Sequence, residues 1–521
     1  MRFTYFLLTF LLASSLYAQN QVNFTLFGHK AYPDSCLSSI WGYTSPASKE
    51  YALVGLCNGL SIVDISTPSL PQVAFVGDVT SIWREMKTYS HYAYVVTEGG
   101  SGLLIINLQD IDNGNVTFNI YTFAGSGGNI TNAHTIFIDE NGVCYLFGAS
   151  QNPFGQGYIA LDLTQDPMNP TYLGSFGDFY IHDAYVEDNI MYAGAILDGF
   201  AAILDVSDKA NPQVLSTVIT PHSFTHNAWV NSNKTVMYTT DEVRASFVTA
   251  YDITDPTFPK LISAVRPSAD STSIPHNVHV VNDNWIAVAH YNLGIALIDA
   301  HKPDNMVYTG FYDTFPWNDS CCFVGVWGVY PYFPSGKWIA SDISTGLWVV
   351  QPTYKRAAYL EGIVRDSLSG APIANAKVVI NNPYFQDSAR TYIDGGFKTG
   401  ILESGQFSVS YFADGYITKT ETVNFISTFT TSRDIKLQKN PLVSEAENEL
   451  NTIKIFPNPA QSQLNIKNMP ANTKYYIYSV DGKLLRSGEE STINIEFLRP
   501  GMYNLYLETP NGTQTTNFIK Q

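Results

Sequence analysis

A six-residue motif, Gly59-Leu-Ser-Ile-Val-Asp64, returns six times at residues 102–107, 157–162, 200–205, 247–252, 294–299 and 346–351. Successive copies end 43 to 55 residues apart. A period of about 40–50 residues with several short strands per unit is the signature of a propeller. Helical repeats of similar length need apolar residues at 3.6-residue spacing. Here the apolar runs are short and bounded by Gly, Pro and Asn, as in strands. The chain is therefore expected to be all-β: a seven-bladed β-propeller over residues 19–354, followed by two small β-sandwich domains.

Each unit divides alike. An inner strand such as His226-Asn-Ala-Trp-Val230 leads to a second such as Val236-Met-Tyr-Thr-Thr240, then to the motif strand and a fourth strand. The motif Asp precedes Ser or Thr and often an Asn-Pro or Asp-Pro, which marks a turn in which the carboxylate bonds local backbone N–H groups. A calcium-ligand role is the alternative. The seventh unit has no fourth strand after Tyr354. The unassigned segment Val22-Asn-Phe-Thr-Leu-Phe27 is expected to supply it, with Val22, Phe24 and Leu26 on one face and Phe27 on the other. Closure of this kind removes open sheet edges.

The five cysteines are Cys36, Cys57, Cys144, Cys321 and Cys322. Asp34-Ser-Cys36 and Asp319-Ser-Cys321 lead into blades one and seven. A disulfide from Cys36 to Cys321 or Cys322 would staple the seam; free buried thiols are the alternative.

One repeat position is chemically unusual. The residues opening the inner strands are Trp41, Trp83, His134, His182, His226, His276 and Trp327, and several are followed by polar residues: Arg84 (then Glu85), Asp183, Asn227 and Asn277. Second strands end at the same mouth on Glu98, Asp241, His290 and Asp342. Three readings stand: polar plugs of the channel, a site for a small molecule, glycan or peptide, or a transition-metal site. The ligand-face candidates are the twelve residues from Trp41 to Trp327 just named. The metal candidates are His134, His182, His226, His276 and His290, since neutral imidazole is the commonest metal ligand. No nucleotide-binding loop, nucleophile elbow or clustered Cys pair is found, so no catalytic residue is assigned.

Arg2 and the apolar stretch 6–13 form the first parts of a signal peptide over residues 1–18, with cleavage expected after Ala18. The apolar run is too short to span a bilayer, and no later run qualifies, so no transmembrane span is expected. The formal net charge of −17 argues against nucleic acid as a partner. After Ala357 the pattern shifts to a small sandwich over residues 355–438. A linker rich in Glu (439–450) and a second small sandwich (451–521) follow.

The propeller resembles the choice-of-anchor B family of LVIVD-type repeats, through Tyr51-Ala-Leu-Val-Gly55, Ile62-Val-Asp-Ile-Ser66, Trp83-Arg-Glu85 and Trp327-Gly-Val-Tyr-Pro331. Residues 355–438 resemble the carboxypeptidase regulatory-like domain through Ser369-Gly-Ala-Pro-Ile-Ala-Asn-Ala376, which implies an accessory sandwich rather than a peptidase. Residues 451–521 resemble the type IX secretion sorting domain of Bacteroidetes through Pro457-Asn-Pro459, Asp481-Gly-Lys483 and Pro500-Gly-Met-Tyr503. The resemblances imply a secreted or cell-surface binding module that passes through the periplasm, with the type IX machinery as partner and an unknown extracellular ligand. Selenium-binding propellers with a copper site share the architecture distantly, so a metal-dependent, copper-type oxidase is the alternative; the cofactor is otherwise unknown.

Overall fold

The computed structural model describes residues 21–125, 128–149, 156–267, 272–316, 323–381, 388–440, 453–479, 483–510 and 512–521. The expected signal peptide, its cleavage after Ala18, most of the linker, Cys321 and Cys322 lie outside them. The described residues are almost entirely β; one short 3-10 turn, Ile111–Asn113, interrupts the strands.

Among the described residues, seven antiparallel sheets of four or five strands follow one another from residue 21 to residue 352, with a two-stranded pair, Phe123–Gly125 and Gly128–Ile130, between the second and third. Their inner strands are Leu37–Thr44, Arg84–Tyr89, Thr135–Ile138, Asp183–Glu187, Thr225–Val230, Val278–Val281 and Val326–Tyr330. Neighbouring sheets pack on one another, the sixth reaching the seventh through Trp285–His290, and the last returns against the first, so the sheets form a closed ring. The motif strands lie third from the axis and are buried on both faces, as in Gly294–Asp299, which explains their unbroken apolar runs. Outer strands are the most exposed, as in Gln213–Ile219, none of whose residues is buried. The motif Asp is a turn former: Asp64, Asp162, Asp205 and Asp252 each accept a bond from the backbone N–H two residues on, at 2.7–2.9 Å.

The N-terminal segment closes the ring, but it serves two sheets. Phe24–Lys30 pairs antiparallel with Gly346–Pro352 of the seventh sheet. Gln21–Val22 instead pairs with Val307–Tyr312 of the sixth. Asn23 makes the switch: its φ of 55° is left-handed, and its side chain donates to the Thr309 carbonyl at 2.6 Å. Val22 and Phe24 are buried, whereas Leu26 is 48% exposed. A register shift between Leu26 and Gly28 breaks the expected alternation, and Phe27 packs inward in place of Leu26.

Cys36 pairs with Cys57, not with Cys321 or Cys322. The register Leu37↔Leu56 sets the two cysteines side by side at the end of one antiparallel pair. The Cys57 N–H donates to the Cys36 carbonyl at 3.0 Å, and their Cα atoms are 5.4 Å apart. The bond thus staples two strands of the first sheet rather than the seam. Closing a loop of 21 residues contributes about 3 kcal/mol. A Cys36→Ser, Cys57→Ser variant is expected to melt about 5 °C lower and to lose the response of Tm to reductant. An unchanged Tm would contradict this.

Two small sandwiches follow. In the first, Ala358–Asp366 lies between Gly396–Ile401 and Thr430–Leu437, facing a four-stranded sheet built around Lys377–Ile380 and Gly405–Phe412. In the second, Lys454–Phe456, Gln463–Lys467 and Thr492–Asn494 face a sheet built around Lys474–Ser479 and Gly501–Thr509. The first sandwich is fastened to the ring through Asp299, the motif Asp of the sixth sheet, which is fully buried. Its carboxylate accepts bonds from the Ala357 N–H and Tyr359 hydroxyl, both at 2.9 Å, and pairs with Arg356 at 2.6 Å.

Candidate functional site

The inner strands converge side chains at the axis in layers. At one mouth stand His134, His182, His226 and His276, with ring centroids 4.0–4.5 Å between successive neighbours. Trp83, 38% exposed, and Trp327 stand at the rim. The register-shifted pairings around Thr225–Asn227 and Val326–Gly328 insert His226 and Trp327 as extra residues, and such bulges re-aim a side chain.

Hydrogen bonds order this ring. His134 Nδ1 lies 2.6 Å from Glu98 Oε1, and its Nε2 lies 3.1 Å from His182 Nε2. His276 Nδ1 is 2.5 Å from the Trp327 carbonyl, so it carries the proton and Nε2 keeps its lone pair. That lone pair faces Glu242 Oε1 at 3.6 Å, and His226 Nε2 stands 3.9 Å from Glu242 Oε2. Tyr291 donates to Glu242 Oε1 at 2.6 Å.

Burial sets the protonation states. It pushes His276 down to about 3 and holds His182 and His226 well below the ordinary imidazole range, with the neighbouring imidazoles adding to the effect. Burial also pushes the Glu242 carboxyl up to about 7, against the Tyr291 bond. At neutral pH His182, His226 and His276 are thus uncharged, beside a carboxyl whose ionisation is opposed by burial.

Other expected site residues lie elsewhere. Trp41 is not at the mouth. A register shift between Leu37 and Ile40 carries it along the strand to pair with Leu53, at the level of Trp229. There it packs on Tyr330 and His279, under Lys87 at 4.3 Å. Arg84 is fully buried as a peg between the first two sheets, bonded to Asp78 and to the Leu56 and Val79 carbonyls. Glu85 pairs with Lys87 at 2.7 Å. Asp183 accepts from Asn227 at 2.7 Å and from Asn277 at 3.3 Å, and burial raises it to about 6. This middle layer, together with the aromatic layer below it, encloses a cavity of only ≈ 10 Å³, room for about one water. The channel is plugged.

His290, expected among the metal ligands, is spent in the core. Its two nitrogens bond Ser273 Oγ at 2.8 Å and the Tyr308 hydroxyl at 2.7 Å. Asp241 accepts bonds from Thr220 and the His222 N–H, on the loop before the fifth inner strand, and Asp342 accepts from the Ser344 and Thr345 N–H groups of its own turn. The residues that do reach the mouth come one step later. Glu242 follows the strand Val236–Asp241 and Tyr291 follows Trp285–His290, just as Glu98 follows Tyr92–Thr97. Counting from Glu98 would have found both.

Three segments match family models. Residues 47–81 match the LVIVD repeat. The propeller carries an LVIVD repeat. Residues 359–438 match the carboxypeptidase regulatory-like domain, and residues 454–521 the secretion system C-terminal sorting domain. No curated protein matches the chain. Among solved structures, the β-propeller domain of Cps50 (Swd1) from Myceliophteria thermophila is similar, at 9% identity with a TM-score of 0.44 over 62% of this chain and 99% of that one; nothing about the site rests on that likeness. Among the described residues, no helix is long and apolar enough to cross a membrane. The LVIVD propeller is thus joined in one chain to a domain that sorts proteins for secretion.

Proposed function

We propose that this protein is an exported binding module, delivered by type IX secretion to the cell surface or the medium, that presents the histidine mouth of its propeller to an extracellular ligand. The observation that carries this reading is the union, in one chain, of a secretion sorting domain with a mouth rimmed by Trp83 and Trp327 over partnered imidazoles. An indole offers an apolar face, and an imidazole both donates and accepts, which suits a ligand with a flat apolar face and a hydrogen-bonding edge, such as a sugar ring. The plugged channel favours a ligand that rests on the mouth rather than one that passes through.

Delivery is tested by deleting residues 454–521 and following the chain by fractionation and protease accessibility in the host. Retention in the periplasm is expected. Normal surface delivery would overturn the sorting part of the reading. For the mouth, Trp83→Ala is expected to abolish the change in tryptophan fluorescence that host surface polysaccharide induces in the intact chain. An equal change in wild type and variant would contradict it.

A further inference from the structure

We propose that His182, His226 and Glu242 form a binding site for a divalent transition metal of the zinc class. Their ligand atoms all lie within 4.8 Å of one another. Two imidazoles and a carboxylate are a donor set suited to zinc, copper or iron, and three protein ligands leave a coordination position open. The proposal deepens the binding reading by giving the mouth an ion, yet it stands on separate observations.

The surroundings fit. His226 is 2% exposed, and its Nδ1 makes no hydrogen bond, an arrangement that is costly unless something else uses the ring. Neither His226 Nε2 nor Glu242 Oε2 is within hydrogen-bonding distance of the other, at 3.9 Å. Tyr291 occupies Glu242 Oε1 and so leaves Oε2 to turn toward the imidazoles. Such bonding of a ligating carboxylate by a neighbour is the usual support of a metal site. Glu98 bonds His134 Nδ1, and the Trp327 carbonyl bonds His276 Nδ1. Both rings therefore carry a neighbour on Nδ1 and turn Nε2 toward the group. Binding draws the three side chains together by roughly 1 Å, since zinc–ligand bonds are about 2.0–2.2 Å, and displaces no hydrogen bond of His226.

The test uses the full chain without a histidine tag, stripped with chelator and titrated with Zn²⁺ alone, and with Co²⁺ as a spectroscopic probe. One equivalent of zinc is expected to bind, and Co²⁺ to give visible absorption bands of a low-coordinate nitrogen–oxygen site. His226→Ala and Glu242→Gln are each expected to weaken binding roughly 100-fold, and Tyr291→Phe about 10-fold. His29→Ala, at an exposed position, and His91→Ala, at a half-buried one, are expected to leave it unchanged. Melting curves of the variants show that they are folded, and Glu242→Gln conserves shape if His226→Ala does not fold. Less than about a fifth of an equivalent bound, or equal affinity in wild type and Glu242→Gln, would overturn the site. The Trp83→Ala fluorescence result is independent of that outcome, so failure of the metal site and failure of the binding reading are distinguishable.

Discussion

A chain that begins at Ala31 is expected to lose the cooperative thermal transition of the propeller and to aggregate. Removing residues 21–30 strips the pairing of Phe24–Lys30 from Gly346–Pro352 and of Gln21–Val22 from Val307–Tyr312. Each lost hydrogen bond costs roughly 0.5–1.5 kcal/mol. Losing the buried side chains of Val22 and Phe24 and uncovering the Trp338 ring, 5.4 Å from that of Phe24, costs about 1.5–3 kcal/mol per large side chain. The sum rivals the whole stability of a typical domain, about 5–15 kcal/mol. The Gly346–Pro352 strand would also become an open edge able to pair with another chain. Scanning calorimetry and light scattering check this. A truncated chain that stays monomeric with the Tm of the full chain would show that the ring does not depend on its N-terminal strand. The Cys36–Cys57 bond remains in this truncation, so the effect is separate from that of the disulfide.

Acid is expected to unfold the propeller well before carboxylate protonation alone would. His279 is buried among Trp41, Trp229 and Tyr332, and His290 is buried between Ser273 and Tyr308. Burial pushes each down to about 3, with Lys87 adding to the effect at His279. An unfolded histidine titrates near 6.5. Below that pH the unfolded chain takes up protons that the folded chain refuses. The stabilisation is therefore present in full above about 6.5 and is lost as pH falls toward 3. Between pH 7 and pH 5 each histidine costs about 2 kcal/mol, so these two cost about 4 kcal/mol. His182, His226 and His276 shift in the same direction. Asp183, raised to about 6, and Glu242, raised to about 7, act oppositely. Their destabilisation is greatest above those values and is relieved on acidification, by roughly 1–2 kcal/mol each. Five imidazoles outweigh two carboxyls, and stability falls. Chemical denaturation at pH 7 and pH 5 measures the drop. A His279→Phe, His290→Phe variant is expected to show a drop about 4 kcal/mol smaller than wild type, whatever its stability at pH 7. Equal drops would contradict the assignment.

The architecture was legible because the motif strands are buried on both faces and so write unbroken apolar runs, while the Asp-turn that follows each is local chemistry carried in two or three residues. What was less legible depends on register. Three register shifts decide which side chain opens an inner strand, and no composition rule announces a bulge. Trp41 therefore appeared level with the histidines although its strand carries it three positions deeper, level with Trp229. Asp241 and His290 looked like mouth residues because strand ends were counted one residue short; both still sit in their ladders, opposite Thr225 and Gly294. Glu242 and Tyr291, which do reach the mouth, fell just outside that count. The disulfide followed the nearest geometry, a neighbouring strand pair, rather than the similarity of two distant Asp-Ser-Cys tripeptides. Val22 joined the sixth sheet because Asn23 tolerates a left-handed backbone, a preference that its neighbours in the sequence do not reveal.

The mouth itself is best tested by anomalous scattering at the zinc absorption edge, from crystals of the full chain grown with one equivalent of zinc chloride. A single dominant peak about 2.0–2.2 Å from His182, His226 and Glu242, with Tyr291 still bonded to Glu242, is the predicted result. An empty mouth with zinc only at exposed surface residues would contradict it.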